Sequence, residues 1–128
     1  MTDSIRVLIA EDQSLVRGAL KALLETEPDI AVVAECETGI EVAGLVAKHC
    51  VDVALLDIEM PGKNGLDAAA ELAGTACRSL IVTTFGRGGY VKRALESGVA
   101  GFVVKDTSPE QLAEAIRRLS LIHISEPT

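Results

Sequence analysis

The sequence predicts an α/β fold, a doubly wound (βα)5 arrangement with a five-stranded parallel sheet. Five short β-rich apolar runs alternate with five amphipathic helical stretches, the period of right-handed βαβ crossovers. The first run is apolar at nearly every position after Arg6, as a strand covered on both faces requires. The chain has 128 residues and 48% hydrophobic content, which is room for one domain and ample material for its core.

Ile5 to Ala10 reads as the first strand. Leu15, Val16, Ala19, Leu20, Leu23 and Leu24 then recur at helical spacing, with Arg17, Lys21 and Glu25 outward, in a helix stopped near Pro28. Ile30 to Ala34 is the second strand. Thr38-Gly39-Ile40-Glu41 has capping-box form and opens a second helix through about Lys48, with Ala43, Val46 and Ala47 inward. Val53 to Asp57 is the third strand; Pro61-Gly62 turns the chain, and Leu66 to Leu72 continues as a short helix.

Leu80 to Thr84 is the fourth strand, followed by a glycine-rich loop, Gly86-Arg87-Gly88-Gly89. A helix from Tyr90 to Ser97 is punctuated by Gly98, and Phe102 to Val104 is the fifth strand. Ser108-Pro109-Glu110-Gln111 supplies an N-cap, a proline at the first helical position and a glutamine two residues on. The fifth helix then turns Leu112, Ala115, Ile116 and Leu119 inward.

A net charge of −7 argues against a nucleic-acid or membrane-surface binder, which needs a basic face. No apolar run approaches the roughly 18 residues of a membrane span, and Met1-Thr2-Asp3-Ser4 lacks the start of a signal peptide, so a cytoplasmic protein is expected. Cys36, Cys50 and Cys77 stand far apart with no histidine at metal-ligand spacing, and read as small hydrophobes.

Polar residues end three of the strands. Glu11-Asp12 follows the first, Asp57 ends the third and Lys105 follows the fifth. In an open parallel sheet the carboxyl edge of the strands is where ligand sites form. Three carboxylates about 5 Å apart repel by roughly 3 kcal/mol per pair at an effective dielectric near 20, so the cluster calls for a cation. Oxygen ligands on an open edge suit Mg²⁺. Lys105 and the Thr83 hydroxyl would hold phosphoryl oxygens, and the set then has the parts of a phosphoryl-transfer site with Asp57 as nucleophile.

Ile9-Ala10-Glu11-Asp12, Leu55 to Gly62, Val82-Thr83-Thr84 and Gly101 to Asp106 together resemble the defining segments of bacterial response-regulator receiver domains, over residues 5 to 119. Met60-Pro61-Gly62 with Asn64-Gly65-Leu66 is similar to the NarL/LuxR-type subgroup, and Thr83-Thr84-Phe85 with Gly89-Tyr90 to DesR-type regulators of membrane-lipid fluidity responses. The resemblance implies a flavodoxin-like, CheY-like fold and a signalling role that is not that of an enzyme. It implies Asp57 as phosphoacceptor, Asp12 as a direct Mg²⁺ ligand, Glu11 as a ligand through water, and Glu59 as a ligand through its backbone carbonyl. Thr83 and Phe102 would be the switch pair and Lys105 the phosphate-contacting cation. The implied partners are a sensor histidine kinase, a second copy of the chain on phosphorylation, and DNA only through a helix-turn-helix output domain absent from this chain. Asp106 stands where many relatives carry proline, which leaves the isomer of the preceding peptide open.

Two rival readings share the strand-end aspartate. A haloacid-dehalogenase-type phosphatase resembles a D-x-D pattern, but the second position here is Glu59 and the chain has no cap domain. A stand-alone receiver differs only in the chain beyond residue 119. Residues 120–128, Ser120 to Thr128, read like a translated transposase sequencing adapter, so the receiver is expected to span 1–119 and the tail to be foreign to it.

Overall fold

A computed structural model describes residues 4–83, 101–104 and 107–125, with backbone alone at 83, 102, 104 and 121–125. Five strands, β1 (Ile5–Ala10), β2 (Ile30–Cys36), β3 (Val53–Asp57), β4 (Arg78–Thr83) and β5 (Gly101–Val104), form one sheet in the order β2-β1-β3-β4-β5. Every neighbouring pair is parallel. The described helices are α1 (Ser14–Leu24), α2 (Val42–His49), α3 (Gly65–Leu72) and a C-terminal helix, Pro109–Ser125. Among the described residues no helix is long and apolar enough to cross a membrane. The predicted loop at Gly86, the helix from Tyr90 to Ser97, and Lys105-Asp106 lie outside the described residues.

Alternation along the strands divides the core. Leu8, Ala10, Ala54, Leu56 and Ile81 pack with Val42 and Val46 of α2 and with Leu66, Ala69 and Leu72 of α3. Val7, Ile9, Val53, Leu55, Leu80 and Val82 point the other way, onto Leu24 of α1 and onto Leu112, Ala113, Ile116 and Leu119. Both faces of the central strands are therefore dry, and each fully buried aliphatic side chain contributes about 1.5–3 kcal/mol. In this register Ala10 lies opposite Leu56, which brings the next residue along each chain, Glu11 and Asp57, level at one edge.

Four local expectations are corrected. β2 continues to Cys36, because its outer residues still pair with β1 beyond a register shift at Val7/Leu8. β4 begins at Arg78, whose amide donates to the Asp52 carbonyl at 2.9 Å. Thr38 caps a 3-10 turn (Gly39–Glu41), its hydroxyl accepting from the Ile40 amide at 3.1 Å, so α2 opens at Val42 and rotates Ala47 outward. In α1 only Leu24 is buried, with Val16 and Leu20 half-buried; Leu15 is 85% exposed, and Ala19 and Leu23 also face solvent. The apolar stripe of α1 is wider than the sheet it covers.

Ser108 caps the C-terminal helix as its sequence predicts, accepting from the Gln111 amide at 3.2 Å. The helix backbone runs on through Ser125 and so takes in residues 120–125 of the adapter-like tail. Arg117 ties this helix to the turn between α1 and β2. Its guanidinium donates twice to Asp29, at 2.8 and 3.0 Å, and also pairs with Glu27. The hydrogen bond from Arg117 holds the Asp29 carboxyl below the usual carboxylate range.

All three cysteines are free thiols, Cys36 and Cys77 buried and Cys50 exposed. Burial pushes the Cys36 thiol up to about 11 and Cys77 up to about 12, against an ordinary value of 9.0. With folded values above the unfolded one, the stability linked to these thiols is fully present below pH 9.0 and is lost as pH rises through the folded values. At pH 8 an aromatic disulfide reagent should modify Cys50 promptly and the other two thiols only at the rate of unfolding. Denaturant midpoints should fall above about pH 9. Prompt reaction of all three thiols would contradict the packing described for Cys36 and Cys77.

Candidate metal and phosphoryl site

The β1–α1 turn presents two carboxylates. The Glu11 amide extends the β1–β2 ladder by donating to the Cys36 carbonyl at 3.0 Å, which keeps Glu11 in line with the strand and 2% exposed. Its Oε2 accepts from the Gln13 amide at 3.1 Å, and its carbonyl accepts from Arg17 Nη1 at 2.5 Å. Asp12 is the exposed member of the pair. Helical periodicity sends Arg17 outward, yet its side chain folds back over the turn and is only 17% exposed. It faces Glu35 at 3.6 Å and Glu37 at 3.8 Å, while Lys21 meets Glu35 at 3.2 Å. The local signal is a long cation one turn into the helix beside acidic strand ends.

Asp57 ends β3 at 6% exposure. The turn after it curls back tightly: the Gly65 amide donates to the Ile58 carbonyl at 3.0 Å, and a Cβ on Gly65 would collide with the Asp57 carbonyl oxygen. Only glycine permits that approach. Asn64 caps α3, its Oδ1 accepting from the Asp67 amide at 2.8 Å. Neither role is assigned from sequence above, although Asn-x-x-Asp ahead of an alanine-rich helix is a legible cap signal. Glu59 sits exposed on this turn, and Met60 packs half-buried against the core.

Carboxylate oxygens of Glu11, Asp12 and Asp57 lie within 4.8 Å of one another. Three predicted residues are thus brought together. β4 places the Thr83 backbone opposite Val104 and β5 places Phe102 opposite Ile81, so Thr83 reaches the same edge as Asp57. Lys105 lies outside the described residues.

Three carboxylates at this spacing repel by roughly 3 kcal/mol per pair at an effective dielectric near 20. The donors are all hard oxygens, two on buried side chains and one exposed, so the set is open on one side. Such a set fits Mg²⁺, which takes one or two carboxylates, keeps several waters and leaves positions for a phosphate oxygen. A buried carboxylate, an open acidic cluster and a neighbouring hydroxyl-bearing strand end suit transfer of a phosphoryl group.

A family model described as the response regulator receiver domain matches residues 7–117. The transcriptional regulatory protein DesR of Bacillus subtilis is 50% identical over 113 residues, an alignment covering 88% of this chain and 57% of that protein. Among solved structures, the signal receiver domain of NarL from Mycobacterium tuberculosis superposes with a TM-score of 0.88 at 30% identity, covering 93% of this chain and 98% of that one. A LuxR-family DNA-binding response regulator from Staphylococcus aureus gives 0.85 at 35% identity, covering 91% and 98%. The chain spans little more than half the length of the curated relatives it matches.

The repulsion has a measurable sign. Asp12→Asn keeps the side chain's shape and removes one charge from the cluster. In EDTA it should raise the unfolding free energy by about 1–2 kcal/mol, and it should lose most of the stabilisation that millimolar Mg²⁺ gives the parent. Thermal melts with and without Mg²⁺ check this, and equal Mg²⁺ stabilisation of parent and variant would remove Asp12 from the cation site.

Proposed function

The chain belongs to the response regulator receiver family, of the NarL/LuxR type, and on that premise we propose that Asp57 accepts a phosphoryl group from a phosphohistidine of a sensor histidine kinase. The observation that carries the reading is the meeting of Glu11, Asp12 and Asp57 within 4.8 Å at the carboxyl edge of the sheet. An Asp57 oxygen attacks phosphorus, the P–N bond to the donor imidazole breaks, and an acyl phosphate forms. The released imidazole nitrogen keeps the bonding pair and takes a proton from solvent. Glu11, Asp12, Asp57 and the Glu59 backbone carbonyl would hold Mg²⁺, which when bound neutralises the charge gathering on the phosphoryl oxygens. Burial of Asp57 among strand ends limits the approach of water to the product. The residue is modified once per signal rather than turning over a substrate.

Thr83 and Lys105 are proposed to contact the phosphoryl oxygens, and Phe102 to turn inward as Thr83 moves. The face around the fifth strand is then remodelled by a shift between two preexisting states. The Thr83 backbone stands one position past Val82, the partner of Asp57, which supports its share in the site. In the full-length protein this switch would govern a helix-turn-helix output that contacts DNA, as the transcriptional relatives and their greater length suggest. The exposed Leu15, Ala19 and Leu23 of α1 support self-association of the phosphorylated form.

After treatment with acetyl phosphate and Mg²⁺, intact mass should show one added phosphate on the parent and none on Asp57→Asn. Thr83→Ala should take the phosphate while its amide shifts on phosphorylation shrink. Equal labelling of parent and Asp57→Asn sinks the assignment. Sedimentation should detect a larger species when beryllofluoride mimics the phosphoryl group; Leu15→Glu should abolish it, and a strictly monomeric parent would count against the α1 surface.

A further inference from the structure

We propose that Thr38 is a positioning residue for the Mg²⁺ site, acting through the turn that joins β3 to α3. Residues 58–64 of that turn carry Glu59, whose backbone carbonyl would be the metal ligand contributed from outside the carboxylate cluster; the inference therefore rests on the Mg²⁺-dependent reading above. A backbone ligand has no rotamer of its own to adjust, so its position is set by whatever fixes the peptide on either side.

One side is fixed at Gly65, whose amide closes on the Ile58 carbonyl. The other is fixed from a different crossover. The Thr38 hydroxyl donates to the Pro61 carbonyl at 2.7 Å while accepting from the Ile40 amide at 3.1 Å, so one oxygen serves as donor and acceptor between two loops. Next to it the Gly39 amide donates to the Lys63 carbonyl at 2.9 Å, with the backbones so close that a Cβ on Gly39 would lie 2.9 Å from the Lys63 carbonyl carbon. Gly62 adopts φ +78°, and a Cβ there would come within 2.6 Å of Ile40 Cδ1 and 3.1 Å of the Thr38 hydroxyl. Lys63 is paired in turn with Glu71 of α3.

The loop after β2 and the crest of the turn after β3 are thus closed on one another by Thr38, Gly39 and Ile40. Between the fixed carbonyls of Ile58 and Pro61 only Glu59 and Met60 intervene, and Met60 is held against the core. With the Thr38 bond to Pro61 in place the Glu59 carbonyl has little freedom. Without it, the Pro61 carbonyl keeps only the Lys63 amide, a bond within the crest itself at 2.9 Å, and the tie to the loop after β2 moves two residues further from Glu59, to Gly39 and Lys63.

Thr38→Val keeps the shape and removes the hydroxyl, whereas Thr38→Ser keeps the hydroxyl and removes a methyl. Mg²⁺ titrations followed by backbone amide shifts are made on the parent and both variants, with phosphorylation rates measured across the same Mg²⁺ range. Thr38→Val should bind Mg²⁺ roughly tenfold more weakly, with its metal-free amide shifts displaced over residues 58–64, and Thr38→Ser should return close to the parent. At saturating Mg²⁺ the phosphorylation rate of Thr38→Val should approach that of the parent, a split between metal affinity and rate that a general loss of stability does not produce. Unchanged Mg²⁺ affinity in Thr38→Val, whatever its melting temperature, overturns the proposal, as does failure of serine to restore it. A parent that binds no Mg²⁺ overturns the reading of the site itself, and the positioning role with it.

Discussion

Three carboxylates that repel one another are held together by a hydrogen-bond ladder. Glu11 and Asp57 are level because Ala10 pairs with Leu56, and that pairing is fixed by side chains buried on both faces of β1 and β3. A slip of one residue would exchange the two core faces along a whole strand and expose what is now buried. The register that sets the charges side by side is also the one that the core enforces, so repulsion of a few kcal/mol is absorbed without moving the strands. Hydrophobic burial, spread over the sheet, outweighs an electrostatic strain concentrated at one edge.

Around this edge the backbone does much of the positioning. Arg17 closes the first turn on the Glu11 carbonyl, Gly65 closes the third on Ile58, and the Thr38 loop holds its crest. Each contact ends on a main-chain carbonyl, which fixes the path of the chain and leaves the acidic side chains to face a cation. The site is the meeting point of three loops whose mutual contacts are as specific as those within any one of them.

The fold was legible because its determinants are periodic. Alternating buried positions and recurrent helical stripes survive small errors at element ends, so five strands were placed within a residue or two. The acidic residues were legible because each stands where an apolar run stops. Arg17 and Gly39 were not, since their roles depend on a carbonyl brought near by folding. The surplus apolar width of α1 was misread for a related reason: periodicity says which residues share a stripe and not how much of it the sheet can cover. Thr38 was assigned a cap from its local pattern, and its second bond, to Pro61, belongs to a crossover later in the chain.

β1 lies between β2 and β3 in space though it precedes both in sequence. Ala10 meets Leu56 only after the whole of α1, β2 and α2 has been looped out, a closure whose entropy costs roughly 3 kcal/mol. Until then the acidic turn and Asp57 drift apart in a chain that has no reason to bring like charges together. A nascent or partly unravelled molecule therefore carries Asp57 as an ordinary aspartate. The charge cluster arrives with the pairing of β1 and β3 and departs with its loss, which makes it a built-in certificate that the centre of the sheet is in place.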